Sequence, residues 1–435
     1  MSTSLSLTYL SPGREANRCV LDAAGEFRVA TAAYRESEIF AAELSNIYHR
    51  TWIYLGHESE VPGRGDYKTA WIGLQPVILV RGADDVLRVF FNICPHRGAT
   101  LCREDRGSAA TFLCHYHAWS FKNSGEFAGA PADDRYPAAF ASADRNLKSV
   151  ARVESYGGLV FACLSPEAQP LPAFLGEARR HIDLWLGRCG EGRYRVSFAH
   201  KYAYQGNWKF QVENSVDGYH PGVVHQSAFN AFRKLDSAFP NRSFLTAARN
   251  AGRTRGFPGG HATLEGGSHL ESGHITPQDW QAYFSTLVRL NGEERAREII
   301  SGRHILVFPN LILMDYSIRV IQPVRRDYTE VYSYPILIDG VPGSVSSGQL
   351  RDTQVRLGTS GMIILDDLEV FNGVQNGLNA IGADSVILSR GLGMEELLSS
   401  GERIGAYSDE TPQRSFWRQW SVMMGDSGRV TGWPH

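Results

Sequence analysis

The sequence predicts an α+β protein of two parts, and three observations carry that reading. Short β-rich runs at 68–73, 76–81, 87–92, 111–114 and 158–163 are separated by Gly, Asp and Pro turns, the pattern of a compact antiparallel domain. A second series at 304–308, 311–315, 317–324 and 329–337 leads to an apolar-faced helix from about Ile364 through Leu378. Between the two series, Leu164-Ser165-Pro166 ends the first part, and SPEAQPLPAFLG reads as a linker into a helix.

The remaining elements follow in order. Residues 34–50, YRESEIFAAELSNIYHR, place Ile39, Leu44 and Ile47 on one helical face. After the linker come a strand at 196–204 and a helical stretch from Trp208 onward. Residues 231–275 are rich in Gly, Arg, His and Ser without periodicity, and are expected to be an irregular functional cover or disordered.

Composition narrows the classes. A chain of 435 residues with 43% apolar content can fill one large domain or two. A net charge of −2 offers no basic stripe for nucleic acid. The longest apolar runs, AWIGLQPVILV and HILVFPNLILM, are broken by Gly, Gln, Pro or Asn and fall short of a membrane span. The opening MSTSLSLTYLSPGREANRC has no basic region leading into an apolar core, so no secretory signal is read there. Six cysteines, scattered apart from one motif, suit a reducing cytoplasm.

That motif lies in FNICPHRGATLCREDRGSAATFLCHYHAWSF. Cys94 and His96 form C-x-H, seventeen residues intervene, and Cys114 and His117 form C-x-x-H. One cysteine and one histidine in each of two loops is how a Rieske [2Fe–2S] centre is held, two thiolates on one iron and two imidazoles on the other. Two alternatives stand beside it. Zinc accepts Cys2His2, but its fingers usually group the two cysteines apart from the two histidines. The plainest alternative is a pair of buried structural cysteines with incidental histidines. Trp119 and Phe121 follow the second loop and would shield a cluster from water. His115 is read as outward-facing or supporting, and Cys102 as a free buried thiol.

A second constellation occupies NWKFQVENSVDGYHPGVVHQSAF, where Asp217, His220 and His225 spell D-x2-H-x4-H. Two imidazoles and a carboxylate form the facial triad of non-haem Fe(II) oxygenases. Residues five apart are about 140° apart on an ideal helix, so a regular helix would not converge the two rings. Pro221-Gly222 between them should break it. Two ordinary histidines near a bend are the competing reading. Downstream, IILDDLEVFNGVQNGL puts Asp366 and Asp367 at the start of an apolar-faced helix, where an acidic pair also suits the helix dipole.

With both motifs in hand, the chain resembles the large (α) subunits of Rieske non-haem iron aromatic-ring-hydroxylating dioxygenases, nearest in feel to the benzoate, cumate and anthranilate type. The segments that match in order are CPHRGATL, CHYHAWSF, WKFQVENSVDGYHPGVVH and LDDLEVFNGVQNGL. The resemblance implies an antiparallel-β Rieske domain and a catalytic domain with a large antiparallel sheet around helices, of helix-grip type. It implies three stretches: 1–45 as an N-terminal helical segment packing on the catalytic domain, 46–166 as the Rieske domain and 167–435 as the catalytic domain. It further implies that Cys94, His96, Cys114 and His117 hold the cluster. His220, His225 and Asp367 would hold Fe(II). Asp217 would be a bridge between His220 and the cluster ligand His117 of a neighbouring subunit in a head-to-tail trimer. Glu213 and Asn214 are left without a role.

The implied reaction is cis-dihydroxylation of an aromatic ring with O2 and electrons from NADH, delivered by a reductase with or without a ferredoxin. A small β subunit is expected, giving α3β3, with α3 as the alternative. A monocyclic aromatic carboxylate is the expected substrate, and Arg319, in an otherwise apolar strand, is a candidate for its carboxylate. An Arg held by a structural carboxylate is the competing account. A Rieske monooxygenase or a dioxygenase of neutral arenes uses the same metals, whereas a pure electron carrier leaves the second motif unexplained.

Overall fold

The computed structural model describes residues 19–137, 139–140, 144–235, 252–269, 274–359, 361–382 and 384–425. The N-terminal stretch read for a signal sequence lies outside them, except for Cys19. The chain divides into two compact units. One is Tyr48–Phe174; the other runs up to Ile47 and resumes at Leu175. No helix among the described residues is long and apolar enough to cross a membrane.

The larger unit begins with a hairpin, β1 (Val20–Ala23) and β2 (Glu26–Ala30), then α1 (Ala32–Arg35), α2 (Ser37–Glu43) and a π-helical turn over Leu44–Tyr48. The single helix expected over 34–50 is therefore interrupted. Glu36 is extended (φ −85°, ψ 131°). The break frees the carbonyls of Tyr34 and Arg35 to accept from Asn207 and Arg326.

The smaller unit holds β3 (Ile53–His57), β4 (Asp66–Ile72), β5 (Gln75–Arg81), β6 (Leu87–Phe91), β7 (Arg106–Ser108), β8 (Thr111–Leu113), β9 (Ser120–Lys122), β10 (Phe127–Gly129), β11 (Arg152–Tyr156) and β12 (Leu159–Cys163). They pair antiparallel in the orders β6-β5-β4-β7, β10-β9-β8 and β11-β12-β3. The strand-like runs of the sequence appear as β4, β5, β6, β8 and β12. Ile78, Val80, Phe90, Phe112 and Phe121 form a core around Cys94, Cys102 and Cys114.

Two turns of the same design interrupt these sheets. Between β6 and β7, the Cys94 amide donates to Ala99 (2.7 Å) and its carbonyl accepts from Gly98 (2.9 Å). Between β8 and β9, the Cys114 amide donates to Trp119 (2.8 Å) and its carbonyl accepts from Ala118 (2.9 Å). The fourth residue after each cysteine is left-handed, Gly98 at φ 77° and Ala118 at φ 55°. Glycine takes that conformation freely, whereas a Cβ meets its neighbouring carbonyl there at a cost of about 1–2 kcal/mol.

The larger unit resumes through α3 (Leu171–Leu175), where the linker ends, and α4 (Ala178–Leu186). Next come β13 (Arg193–Val196), β14 (His200–Tyr204), α5 (Trp208–Ser215), α6 (Pro221–Val224), α7 (Gln226–Leu235), β15 (Gly252–Gly256) and β16 (Ala262–His269). Then follow α8 (Pro277–Asn291), α9 (Glu293–Ile299), β17 (Ser301–Val307), β18 (Leu311–Met314), β19 (Ser317–Arg325), β20 (Tyr328–Asp339) and α10 (Gly343–Leu357). The chain closes with α11 (Ile364–Gly377), β21 (Ser385–Ile387), β22 (Glu396–Leu397), β23 (Arg403–Ala406) and α12 (Thr411–Met423). A ten-stranded antiparallel sheet in the order β13-β20-β19-β18-β17-β16-β15-β23-β22, with β14 also on β20, forms its centre.

Two sequence expectations give way here. The strand expected at 196–204 is two, β13 and β14, both paired to β20. The break faces Pro335 of β20, which accepts from Ser197 but has no N–H to return. Within 231–275, residues 252–256 and 262–269 are sheet strands rather than irregular cover; 236–251 and 270–273 lie outside the described residues. The glycines that hid β15 are demanded by packing. A Cβ on Gly252 would stand 2.3 Å from the Glu265 carbonyl, and one on Gly256 would stand 2.7 Å from Ser415 Cβ.

Helix α5 lies over the sheet through Ser215. Its carbonyl accepts from His304 Nδ1 (2.9 Å) and its Oγ from Arg319 (3.1 Å). Behind the helix, buried Glu43 accepts from Lys209 Nζ (2.5 Å), Trp208 Nε1 (2.8 Å) and Trp420 Nε1 (2.7 Å). Glu213 accepts from the Tyr34 hydroxyl and the Trp417 indole, both at 2.8 Å. Burial outweighs those donors and pushes the Glu213 carboxyl up to about 7.

Two predictions follow from these environments. Ala118→Gly should stabilise the smaller unit by on the order of 1 kcal/mol, read from urea unfolding midpoints; no gain would argue against strain at that turn. Because the folded Glu213 binds its proton more tightly than the unfolded chain, its stability contribution is present below about pH 4.5 and fades as pH rises through about 7. Wild type should therefore lose up to about 3 kcal/mol between pH 5 and 8 that Glu213→Gln does not lose. Matching pH slopes in the two proteins would exclude this.

Candidate metal centres

In the smaller unit, the two cysteine turns bring their side chains together. Cys94 and Cys114 are both buried, and the Cys94 thiol meets that of Cys114. Burial pushes the Cys94 thiol up, while the amides of His96 and Arg97, aimed at its sulfur, pull it down. The rings of His96 and His117 stand 4.6 Å apart at 76°. Nδ1 of each is buried and has no hydrogen-bond partner among the described residues. Two adjoining thiols and two orphaned ring nitrogens are the donor set a Rieske cluster needs, so the residues fit that group.

The surroundings fix this arrangement. Trp119 stacks on His96 at 4.8 Å and 5°, and Phe121 is fully buried beneath. Asn92 clasps the first loop, accepting from the amides of Leu101 (3.0 Å) and Cys102 (2.9 Å) and donating to the Cys102 carbonyl (2.8 Å). Cys102 is a free, buried thiol and His115 is exposed.

In the larger unit, the sequence D-G-Y-H-P-G-V-V-H becomes a turn, a single helical turn and a second helix start. Asp217 Oδ1 accepts from the Tyr219 amide at 2.5 Å, closing a side-chain turn. His220 caps α6, whose first residue is Pro221. His225 ends α6, and its carbonyl accepts from Phe229 in α7. The broken helix converges the rings, at 5.4 Å and 79°.

Asp367, from the first turn of α11, completes the group. Its Oδ1 lies 3.6 Å from His220 Nε2 and 3.4 Å from His225 Nε2. One donor atom from each of the three residues lies within 4.8 Å of the others. His225 and Asp367 are buried. Two imidazole nitrogens and one carboxylate oxygen fit a mononuclear iron with open positions.

Asp217 stands outside the group. Its Oδ2 is 3.0 Å from His220 Nδ1, a charge contact off the line of a straight hydrogen bond, on the side of the ring away from Asp367. Two neighbours were not assigned from sequence. Asn214 Nδ2 lies 3.1 Å from His220 Nε2 and 3.0 Å from Asp367 Oδ1. Asp366 Oδ2 lies 3.3 Å from His225 Nδ1. The E-N pair was a visible signal, but only the fold tells which member faces the group: Glu213 points away, into the cluster with Tyr34 and Trp417. Arg319 is buried and donates to Ser215; no carboxylate pairs with it among the described residues.

Comparisons with known proteins match both parts of the chain. Residues 51–154 match the Rieske [2Fe-2S] domain family, and residues 192–426 match the ring hydroxylating alpha subunit (catalytic domain). The toluate 1,2-dioxygenase subunit alpha of Pseudomonas putida is 35% identical over 84% of this chain and 82% of its own length. The 2-halobenzoate 1,2-dioxygenase large subunit of Burkholderia cepacia is 31% identical over 84% and 80%. A naphthalene 1,2-dioxygenase structure with indole in its active site superposes with a TM-score of 0.82, 27% identity and 93% of each chain covered. The chain thus belongs to the α subunits of Rieske non-haem iron ring-hydroxylating dioxygenases, whose two domains bind a [2Fe–2S] cluster and a mononuclear iron.

Proposed function

We propose that this chain is the terminal oxygenase subunit of a system that cis-dihydroxylates a monocyclic aromatic carboxylate. The observation that carries the reading is the convergence of His220 Nε2, His225 Nε2 and Asp367 Oδ1, with Asp217 against the far nitrogen of His220. In it, Cys94, His96, Cys114 and His117 hold the cluster, and His220, His225 and Asp367 hold the iron. When bound, the two groups supply single electrons and dioxygen activation.

The chain's own residues do the rest. The charge of Asp217 beside His220 Nδ1 favours the tautomer whose Nε2 faces the iron position. It is the link through which electrons enter from a cluster histidine of a neighbouring subunit. His225 and Asp367 are buried, which shields their donor atoms on two sides of the iron position. The electrons originate in NADH and arrive through a reductase, with or without a ferredoxin. A small β subunit completes an α3β3 assembly; an α3 trimer is the alternative that solution mass distinguishes. Thiols outside any disulfide at Cys102, Cys163 and Cys189 suit a cytoplasmic protein.

The carboxylate in the substrate is supported by the toluate and 2-halobenzoate relatives and by the buried Arg319 without a carboxylate partner among the described residues. Neutral arenes are the second reading, favoured by the close superposition on naphthalene dioxygenase. Monooxygenation on the same metals is told apart by the products.

Two experiments decide. With reduced partner proteins, substituted benzoates should give cis-diols, and Arg319→Ala should lower kcat/KM for them about tenfold more than for neutral arenes. Equal losses would return Arg319 to a packing role, and turnover of neutral arenes alone would overturn the carboxylate assignment. Asp217→Asn should keep both metals yet slow reoxidation of its reduced cluster, on addition of substrate and O2, by about a hundredfold or more. Wild-type reoxidation in that variant would rule out the linking role.

A further inference from the structure

We propose that Asp366 is a positioning residue for the mononuclear centre, holding His225 in the tautomer that turns the Nε2 lone pair toward the ion; the inference rests on His220, His225 and Asp367 being the ligands. Asp366 and Asp367 are successive residues in the first turn of α11, so their side chains leave the helix about 100° apart. That divergence lets the pair bracket one imidazole. Asp367 Oδ1 is 3.4 Å from His225 Nε2, and Asp366 Oδ2 is 3.3 Å from Nδ1.

A neutral imidazole carries one N–H, and an ionised carboxylate can only accept. Asp366 therefore draws the proton to Nδ1 and leaves Nε2 bare on the side of Asp367 and His220. His225 is 3% exposed, so water does not compete for either nitrogen. Phe229 meets the same ring edge-on, with centroids 6.1 Å apart. Asp217 lies 3.0 Å from Nδ1 of His220 without the line of a hydrogen bond, so each imidazole has a carboxylate behind it but only the Asp366 contact is a hydrogen bond. The two carboxylates differ in origin. Asp217 belongs to the histidine loop itself, whereas Asp366 comes from the helical turn that carries the third ligand. Asp366 thereby ties the orientation of His225 to the position of Asp367.

The test uses the full-length, cluster-loaded chain as Asp366→Ala, Asp366→Asn and Asp367→Ala. Its readouts are Fe(II) affinity by competition with a chelator and the electron paramagnetic resonance of the Fe(II) protein exposed to nitric oxide. Asp366→Ala should weaken Fe(II) binding about 10- to 100-fold and alter that spectrum, with cluster absorbance unchanged. Asp366→Asn, whose side-chain oxygen still accepts from Nδ1, should shift both in the same direction by less. Wild-type affinity and spectrum in Asp366→Ala would overturn the proposal. If the alanine variant does not fold, an unaltered spectrum in Asp366→Asn would do the same. Asp367→Ala should lose its iron; if it keeps it, the ligand assignment fails instead, so the two failures are distinct.

Discussion

The group of His220, His225 and Asp367 borders a helix, α5, that is anchored by buried charge. Lys209 and Glu43 are both wholly inaccessible, and Glu43 is also the acceptor for two indoles, one on α5 and one on α12. Withdrawing either charge would leave the other stranded in a low dielectric, at about 3–5 kcal/mol. Such a contact has one geometry, whereas an apolar face tolerates rotation and sliding. The rotation of α5 is therefore fixed from behind. What emerges at its other end, Asn214 beside His220 and Asp367 and Ser215 against the sheet, is placed by a clamp that touches neither His220 nor Asp367.

Much of this was legible in the chain. Short β-rich runs located β4, β5, β6 and the strands from β17 to β20, because they are apolar and the breaks between them carry Gly, Pro or Asp. The two metal motifs were legible because ligand chemistry admits few residue types and the loops fix their spacing. What stayed hidden was whatever the rest of the molecule decides. β15 reads as loop because its glycines answer to Glu265, Tyr407 and Ser415, which are distant in sequence. The strand at 196–204 looks continuous because its break belongs to Pro335 on another strand. Glu213 and Asn214 are equivalent on paper, and Asp367 was singled out from Asp366 only by the resemblance; helix rotation gives one member of each pair to the His220–His225 group and the other to a neighbour.

The two centres divide the ligand types by chemical hardness. The smaller unit offers thiolate sulfur and imidazole, suited to an iron–sulfur cluster; the larger offers imidazole and carboxylate, suited to a single iron with vacant positions. Their supporting shells differ accordingly. Around the cysteines stand aromatic rings and backbone amides, which exclude water and stabilise thiolates. Around His220 and His225 stand carboxylates, which orient the rings.

The twin cysteine turns have one more consequence. Their backbones superimpose in pattern, each closing a hydrogen bond from the fourth following residue to the cysteine carbonyl. Yet the histidine is the second residue of one turn and the third of the other. The same frame thus releases its two imidazoles at different steps, and they meet at 76° instead of lying parallel. One intervening residue breaks a local pseudosymmetry. The sulfur pair stays related by the repeat while the nitrogen pair does not, and the chain obtains two unlike ends for one cofactor from a single turn used twice.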